Sequence, residues 1–555
     1  MKDKVISFFK KNFQFLSTTD LFFVFIIAAL FFGIILSNHI TRKGDGVEYM
    51  MTTEALFFDK SLTFTDNVLQ RHRALKPSSI DNGGYSVNPG RDSKYYLTQH
   101  PLYYSALTVP LYGLLHFIHP KVAYYSFYLI NFLFLLATVL VLIYFFKKIF
   151  KYGNYLFLVF AYFFFSTVIP YMLWPHPETL IFSCVTLFFF FLYGLRRPIL
   201  SSVFLGVAVG QSLVLIFLTL NLVYHLLFIE RKSRWFKIVA SGIMFSTIAS
   251  FHYLVSYAYT GNFFSLVYNS TLSFIALKDV VYAVFDPAVG LIWFYPMVVF
   301  SLFFSKKEIK TLIVIGSAFL SLLFYMVNLQ FYTHQVGLRY LNYIYPAFFF
   351  ILDVEKIKKN LLLVMVFVGI SGMLTAGIIT DLTSSNASMD PTTKNFIGYR
   401  LLSKALFPYY KEHPNVFIYH STRLENHLPY VNELGAFKIY ASNDGGNLYP
   451  ATGWVLNNQW TRFMLNNVRP GTLRIILDTD CGRTDYIVSN RSYFTSSKEI
   501  MINLDASNIG HAAKRDMDTI FNDFFYFDLK AEPSCQVRGI KQININDFAV
   551  YLHLL

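Results

Sequence analysis

Two carboxylates, Asp45 and Glu48, follow directly after the first long apolar run of the chain. The glycines Gly44 and Gly46 flank Asp45 and leave its backbone free to approach a ligand closely. Ionised groups at the edge of a membrane are costly unless a partner or a function holds them there. A carboxylate in this position can accept a proton from an attacking hydroxyl, so the pair predicts general-base chemistry. Asp45 is the stronger candidate for the base, and Glu48 could orient it.

Basic and imidazole side chains occur in the same polar segment and at the ends of later apolar runs. Arginine can clamp a phosphate group through two parallel hydrogen bonds. Arg71 and Arg73 follow the acidic pair, and Arg339 stands alone at the start of an apolar run, where a guanidinium needs a partner or a polar cavity. These three arginines are the candidate phosphate ligands. The candidate substrate-binding residues are His100, His176, Glu178, Asp286 and His334.

Each candidate also has a purely structural interpretation. Asp45 could cap the next helix, since Asp is a favoured N-cap residue, and Glu48 could belong to a solvated acidic face. Arg71 and Arg73 could contact anionic lipid, and Arg339 could extend its charge to the membrane interface. The residues that could be ordinary surface, turn or loop-end residues are His100, His176, Glu178, Asp286 and His334.

The composition indicates the class of protein. The chain has 555 residues, of which 55% are hydrophobic and 14% are charged, and it contains 61 Phe and 39 Tyr. It is too apolar and too long for one soluble core. The apolar runs recur at the length of a membrane-spanning helix, which predicts an α-helical polytopic membrane protein. The formal net charge is +14, but Lys and Arg cluster between the apolar runs, as membrane orientation requires, so nucleic acid is not an expected partner.

The positive-inside rule orients the predicted spans. Lysines precede the first span, which is too long for a signal peptide and lacks a small-residue cleavage site, so the amino terminus is predicted to be cytoplasmic. About 11 spans place the later basic clusters on the cytoplasmic side. Their approximate ranges are 21–40, 122–146, 155–173, 179–195, 199–229 (two spans, divided near 210–212), 238–257, 290–304, 311–329, 341–352 and 360–379.

Two polar regions then lie outside the cell membrane. The first exterior loop covers 41–121, and its apolar stretch Leu102–His119 is predicted to be an interfacial or re-entrant helix. The second region, 381–555, has alternating stretches and turn signals, which predict an exterior mixed or β-rich domain after the membrane domain of residues 1–380. Cys481 and Cys535 lie in that domain, where a disulfide is permitted, and the spacing leaves their pairing open.

The order of the motifs resembles that of a known family. Asp-Gly-x-Glu-Tyr begins the first exterior loop, and Pro-Leu-Tyr-Tyr begins the predicted interfacial helix. Gly-Asn-Phe-Phe-Ser-Leu-x-Tyr, Asp-Pro-x-x-Gly-Leu and Gly-x-Arg-Tyr-Leu follow in that order. Over about residues 1–380 the chain is similar to bacterial integral-membrane glycosyltransferases of the GT-C fold class, the relatives of the aminoarabinose, protein-mannosyl and arabinosyl transferases.

The resemblance implies a polyprenyl-phosphate sugar donor and a glycan, lipid or protein acceptor, used on the periplasmic face of the bacterial inner membrane. It implies an inverting transfer with Asp45 as base, while Arg339, supported by Arg71 or Arg73, neutralises the leaving phosphate. No cofactor is predicted; some members of this class use a divalent metal, but the sequence contains no compact ligand cluster.

Two alternatives to catalysis remain open. A transporter or flippase of a lipid-linked glycan intermediate would carry charges at mid-membrane depth and broken helices. The other alternative is a non-catalytic member of the same fold.

Overall fold

The computed structural model describes the helical part of the chain and, in the carboxyl-terminal part, separate strands. The described ranges are 16–37, 46–64, 66–75, 87–89, 96–98, 100–230, 233–261, 280, 283–285, 290–328, 340–375, 422–423, 438–443, 461–466, 471–479, 483–488, 491–497, 499–504, 510–511, 523–531 and 537–545. The sequence predictions that fall outside these ranges are those for Asp45, Asp286, His334, Arg339, Cys481 and Cys535.

Most of the described residues are helical, as the apolar periodicity predicts. The α-helices are α1 Thr18–Ser37, α2 Gly46–Glu54, α3 Asp66–Leu75, α4 Tyr103–Ile118, α5 Ser126–Tyr144, α6 Tyr155–Phe164, α7 Val168–Met172, α8 Glu178–Phe189, α9 Pro198–Gln211, α10 Thr219–Tyr224, α11 Arg234–Thr260, α12 Leu291–Phe294, α13 Pro296–Phe303, α14 Ile309–Asn328, α15 Leu341–Ile344, α16 Val354–Lys359 and α17 Leu361–Thr375. Wider π-type turns extend α2, α5, α8 and α10, through Ala55–Asp59, Phe145–Ile149, Phe190–Gly194 and His225–Ile229.

Among the described residues, two continuous helices are long and apolar enough to cross a bilayer, Pro120–Ile149 with 30 residues and Arg234–Thr260 with 27. The second exposes large apolar side chains, including Trp235 at 75% and Phe236 at 68%. Exposed apolar surface of this extent is expected where a helix faces lipid. The apolar stretches of the other helices are shorter, between 10 and 17 residues, such as Thr18–Gly33 within α1 and Ile309–Tyr325 within α14. The architecture is therefore compatible with a helical membrane protein, and the number of spans stays a prediction.

One predicted span is interrupted. The sequence predicts a single helix over about 155–173, but α6 ends at Phe164 and α7 begins at Val168. At the break, the Ser166 hydroxyl donates to the carbonyl oxygen of Phe163 at 2.9 Å and accepts from the backbone N–H of Val168 at 3.3 Å. These local bonds replace the missing helical bonds. The Thr167 hydroxyl forms a hydrogen bond with the hydroxyl of Tyr295.

Other predicted spans also depart from regular α-helix. The division near 210–212 is confirmed, because α9 ends at Gln211 and Ser212 has extended backbone. The span predicted over 290–304 is broken between α12 and α13, where Pro296 starts the second helix. The span predicted over 341–352 is α-helical only in α15 and continues as a 3-10 helix, Tyr345–Ile351.

The segment 41–121 contains regular structure. It holds helices α2 and α3 and a small antiparallel sheet of β1 Thr63–Phe64, which lies between the two helices, β2 Val87–Pro89 and β3 Tyr96–Thr98. The strand order in this sheet is β1-β3-β2. The helix predicted over Leu102–His119 is confirmed as α4. Its Tyr104 and Tyr112 are fully buried, while Phe117 and Ile118 are 82% and 70% exposed. This two-sided character suits the predicted interfacial position, which itself stays a prediction.

The described carboxyl-terminal residues form strands, in a compact unit separate from the helical one. These are β4 Thr422–Arg423, β5 Lys438–Asn443, β6 Thr461–Asn466, β7 Gly471–Thr479, β8 Thr484–Val488, β9 Arg491–Thr495, β10 Glu499–Leu504, β11 Gly510–His511, β12 Asp523–Ala531 and β13 Val537–Ile545. One sheet has the order β4-β5-β6-β12-β8-β9, with β11 also on β12, and the other has the order β10-β7-β13. The β-rich character predicted for this region is confirmed for these residues, and the domain boundary near 380 stays a prediction.

Cys481 and Cys535 lie outside the described residues, but the pairing of the two nearest strands in the sequence bears on whether they form a disulfide. The outermost pair between β7 and β13 is Thr479 with Val537. Cys481 follows Thr479 by two positions, and Cys535 precedes Val537 by two. We therefore expect mass spectrometry of the nonreduced protein to find a peptide that joins the two cysteines. Recovery of both as free thiols from oxidising conditions would contradict this prediction.

Candidate functional site

Four residues predicted from separate segments of the sequence lie together in the helical unit. Glu48 is on α2, and His100 precedes α4. His176 lies in the turn before α8, and Glu178 is the first residue of α8. The Glu48 carboxylate is 3.4 Å from Nε2 of His100, and the Glu178 carboxylate is 3.3 Å from Nδ1 of His176. The two imidazole rings are 6.1 Å apart between centroids. The site therefore contains two neighbouring carboxylate–imidazole pairs.

The ring of Tyr49 connects the two pairs. It stacks on His100 at 5.0 Å and meets the ring of His176 edge-on at 5.2 Å. Its hydroxyl accepts a hydrogen bond from Nε2 of Gln211 at 3.4 Å. The Ser105 hydroxyl donates to the carbonyl oxygen of Tyr49 at 3.0 Å, which joins α2 to α4. Because ring, hydroxyl and backbone are all held, Tyr49 fixes the spacing of the pairs.

The second pair lies on a buried turn. The sequence places Trp174–Glu178 in an exterior loop, but His176 is 2% exposed and Glu178 is fully buried. Asn131 on α5 holds the turn in the interior, because its side-chain amide donates to the carbonyl oxygen of Trp174 at 2.7 Å. Trp174 in turn stacks on His176 with 4.0 Å between ring centroids. The turn is therefore part of the core of the helical unit.

Glu178 receives support from two directions. It occupies the first turn of α8, where the exposed backbone N–H groups of a helix favour a negative charge. The hydroxyl of Tyr343, on α15, donates to Glu178 Oε1 at 3.2 Å. Tyr343 also meets the ring of Tyr340 edge-on at 5.0 Å, and Tyr340 directly follows Arg339 in the sequence. Tyr340, the tyrosine of the Gly-x-Arg-Tyr-Leu motif, is therefore connected to the candidate site through Tyr343.

The close approach of α2 to the turn Trp174–Glu178 depends on glycine at the first position of α2, Gly46. A Cβ at Gly46 would lie 2.6 Å from Cγ of Pro175, well inside van der Waals contact. Pro175 is buried between Trp174 and His176, and its ring has little freedom to move. The glycine that follows Asp45 thus permits the close contact of α2 with the turn, a use of glycine that the sequence analysis anticipated in general form.

We expect Gly46→Ala to destabilise the protein by about 1–3 kcal/mol and to displace α2 from the turn, as overpacking in a filled core does. Gly242→Ala is the matched control, since nothing lies within 4 Å of a Cβ at Gly242 on α11. The measurement is thermal unfolding of both purified variants. Equal unfolding temperatures for the two variants would contradict the proposed close packing.

The predicted phosphate ligands on α3 have other described environments. The guanidinium of Arg71 forms a bidentate pair with the carboxylate of Asp59 and lies 4.5 Å from the ring centre of Phe58. Arg73 is exposed at the end of the same helix. Between them, His72 faces the interior. The structure therefore places neither arginine against the four-residue site, and their role toward phosphate stays a prediction.

A third carboxylate–imidazole pair, outside the four-residue site, fixes α3 against α2. Glu54 is fully buried, its Oε1 is 2.8 Å from Nδ1 of His72, and it accepts from the hydroxyl of Tyr124 at 2.6 Å. Glu48 and Glu54 are thus two buried carboxylates on one short helix, each beside a histidine. This pairing makes Glu54 a useful comparison for the candidate site.

Three residues that hold the site together are not among the candidates predicted from the sequence. Tyr49, Asn131 and Tyr343 were not candidates, although the structure makes each a contact of the site or of its turn. An asparagine within the apolar run 122–146 was the one available signal, because a polar side chain at that depth must find partners. Tyr49 stands in the Asp-Gly-x-Glu-Tyr motif, but residue type alone gives a tyrosine no role in a chain with 39 of them.

No group of three or more His, Cys, Asp or Glu side chains that could hold a metal ion is present in the described part of the chain. This finding does not cover Asp45, Asp286 and His334, because they lie outside the described residues. Metal dependence therefore stays an open prediction.

Two adjacent carboxylate–imidazole pairs can accept and donate protons and can orient hydroxyl groups. Glu48, His176 and Glu178 are buried in an aromatic setting, while His100 is partly exposed. Burial of the carboxylates limits competition from water and strengthens electrostatic interactions with a bound substrate. The arrangement suits proton transfer to or from a polar substrate group. Comparison of the chain with protein-family models, with curated proteins and with solved structures finds no match in any of the three.

Proposed function

We propose that this protein is a membrane glycosyltransferase that transfers a hexosyl or pentosyl unit from a polyprenyl-phosphate donor to a glycan, lipid or protein acceptor. The observation that carries the proposal is the convergence of Glu48, His100, His176 and Glu178 around Tyr49. The motif order of residues 1–380, with its resemblance to GT-C glycosyltransferases, supplies the reaction class.

In the proposed reaction, Asp45 accepts the proton of an acceptor hydroxyl, and the hydroxyl oxygen attacks the anomeric carbon of the sugar. The bond between that carbon and the phosphate oxygen breaks, and polyprenyl phosphate leaves with the bonding electron pair. Attack opposite the leaving group inverts the anomeric configuration. Arg339 stabilises the charge that develops on the phosphate, with Arg71 or Arg73 in support.

The described residues have positioning roles in this scheme. Asp45 directly precedes Gly46, whose contact with Pro175 brings the start of α2 against the turn. Glu48 orients His100, and Glu178 orients His176, so that both rings can bind sugar or phosphate oxygens. The site would lie at the periplasmic face of the bacterial inner membrane, with the amino terminus in the cytoplasm and the β-rich domain in the periplasm.

A lipid-linked glycan transporter or flippase is the second candidate, because the structure has two features expected of one. Helices are interrupted between α6 and α7, at Ser212 and before Pro296, and the carboxylate of Glu178 is fully buried. Broken helices and buried charges line the substrate sites of many transporters. The two functions differ in outcome, since a transferase forms a new glycosidic bond and a transporter leaves its substrate chemically unchanged.

The test uses proteoliposomes that contain the purified protein, isotopically labelled polyprenyl-phosphate sugars of the hexose and pentose series, and membranes from cells lacking the protein as the source of acceptor. Mass spectrometry measures label in covalent products, and a membrane-impermeant periodate reagent measures sugar that has crossed the bilayer. We expect covalent transfer from at least one donor. Movement of intact donor without any covalent product would favour the transporter instead.

A further inference from the structure

A polar cavity lies far from the candidate site. Glu178 and Tyr193 are near opposite ends of one continuous helical stretch, Glu178–Gly194. At about 1.5 Å per residue the two are roughly 20 Å apart. Tyr193 lines a cavity of about 560 Å³ together with residues that follow α8, end α10 and begin α14. This volume falls within the range of roughly 300–1,000 Å³ that is typical of ligand pockets.

The charges around this cavity favour an anion. Arg196, Lys307 and Lys310 line it, and the single carboxylate among its lining residues is Glu308. Glu308 also lies 4.0 Å from the ammonium group of Lys306, outside the lining, which offsets part of its charge. The ammonium group of Lys310 is 4.7 Å from the centre of the Tyr193 ring, so a cation–π contact holds it at the cavity wall.

A buried histidine gives the cavity unused hydrogen-bonding capacity. His225 lines it and is 1% exposed, and neither ring nitrogen has a hydrogen-bond partner among the described residues. Buried polar atoms are almost always satisfied, so an unsatisfied imidazole in a cavity wall indicates a missing partner. An anion with several oxygens could accept from His225 and from the neighbouring cations together.

The outer surface beside the cavity is apolar. On α10 and its extension, Val223 and Phe228 are 48% and 72% exposed, and on α14 Ile309 and Leu312 are 67% and 70% exposed. A free anion gains nothing from these side chains, whereas an acyl chain can pack on them. Basic pockets between helices at a membrane surface are known to bind acidic lipid headgroups.

We propose that this cavity binds the phosphate headgroup of an anionic phospholipid. The phosphate oxygens contact Arg196, Lys310 and His225, and the acyl chains lie on the exposed apolar side chains of α10 and α14. The proposal does not depend on the glycosyltransferase activity, because the cavity and the candidate site lie at opposite ends of α8 and its extension.

The test measures lipid binding to the full-length protein in nanodiscs of phosphatidylcholine, into which phosphatidylglycerol is titrated. Native mass spectrometry counts bound lipid, and thermal unfolding reports its stabilising effect. We expect selective retention of phosphatidylglycerol. Loss of one cation, in Arg196→Gln or Lys310→Gln, should weaken binding about fivefold, and the double variant about thirtyfold. Lys310→Arg keeps the charge and should retain binding.

Lys358→Gln is the matched control, since Lys358 pairs with Glu355 on α16 and does not line the cavity. It should bind phosphatidylglycerol as the unmodified protein does. All variants must first show the same unfolding temperature in phosphatidylcholine alone. An equal loss in Lys358→Gln, or equal retention of phosphatidylcholine, would overturn the proposal. Inorganic phosphate that stabilises the protein as strongly as the lipid does would overturn the assignment to lipid.

Discussion

Asp45→Asn is expected to lower the rate of sugar transfer by about 10²- to 10⁴-fold, the usual contribution of a general base. The substitution keeps the size and most of the hydrogen-bonding capacity of the side chain but removes its ability to accept the acceptor's proton at neutral pH. The protein should fold normally, since Asn is as good an N-cap residue as Asp. A loss of transfer activity in a normally folded Asp45→Asn protein would therefore indicate a catalytic role of Asp45 rather than a capping role.

The measurement is the initial rate of covalent label transfer, with the unfolding temperature of each variant recorded beside it. Glu355→Gln is the control, because Glu355 is an exposed carboxylate on α16 that pairs with Lys358. It should leave the rate unchanged. Transfer by Asp45→Asn at the rate of the unmodified protein would exclude Asp45 as the base.

Glu178→Gln is expected to lower the transfer rate by about 10²-fold, because loss of the carboxylate leaves His176 without its orienting charge. The glutamine oxygen can still accept the hydrogen bond from Tyr343, so the turn should keep its fold. A rate loss without a change in unfolding temperature therefore identifies a contribution to the chemistry.

Glu54→Gln is the matched comparison for Glu178→Gln. Glu54 is also fully buried, also lies beside a histidine, and also accepts from a tyrosine hydroxyl, but it belongs to the pair that fixes α3. We expect its substitution to change stability more than the transfer rate. Similar rate losses in both variants, each in proportion to lost stability, would show that Glu178 is only a structural residue.

The helical architecture could be predicted because apolar runs of helical length, and the polar residues that end them, can be recognised in the sequence. The first helix, the division before Ser212 and the long helix after Arg234 were all found to within a few residues. The break between Phe164 and Val168 was not predicted, although the apolar run contains Ser166 and Thr167 at that point and Pro170 shortly after it. At the break, the Ser166 hydroxyl makes local hydrogen bonds to the backbone of Phe163 and Val168. The bond between Thr167 and Tyr295 joins residues distant in the sequence, and the sequence alone does not show that pairing.

The candidate site could be predicted residue by residue but not as an assembly. Glu48, His100, His176 and Glu178 were candidates because charged or imidazole groups at the ends of apolar runs need a reason to be there. Nothing in the sequence pairs Glu48 with His100, or places a buried turn where a loop is expected. That geometry arises from Tyr49 and Asn131, whose side chains look like ordinary packing residues until their contacts are known.

The most direct test of the proposed function is whether the purified protein forms a glycosidic bond from a polyprenyl-phosphate sugar. Unmodified protein and Asp45→Asn are incubated with the labelled donors and acceptor membranes, and mass spectrometry measures labelled product and released polyprenyl phosphate. We expect labelled product and released polyprenyl phosphate in equal amounts from the unmodified protein, and about 10²- to 10⁴-fold less of each from Asp45→Asn. Intact donor throughout, with no labelled product from folded unmodified protein, would contradict it.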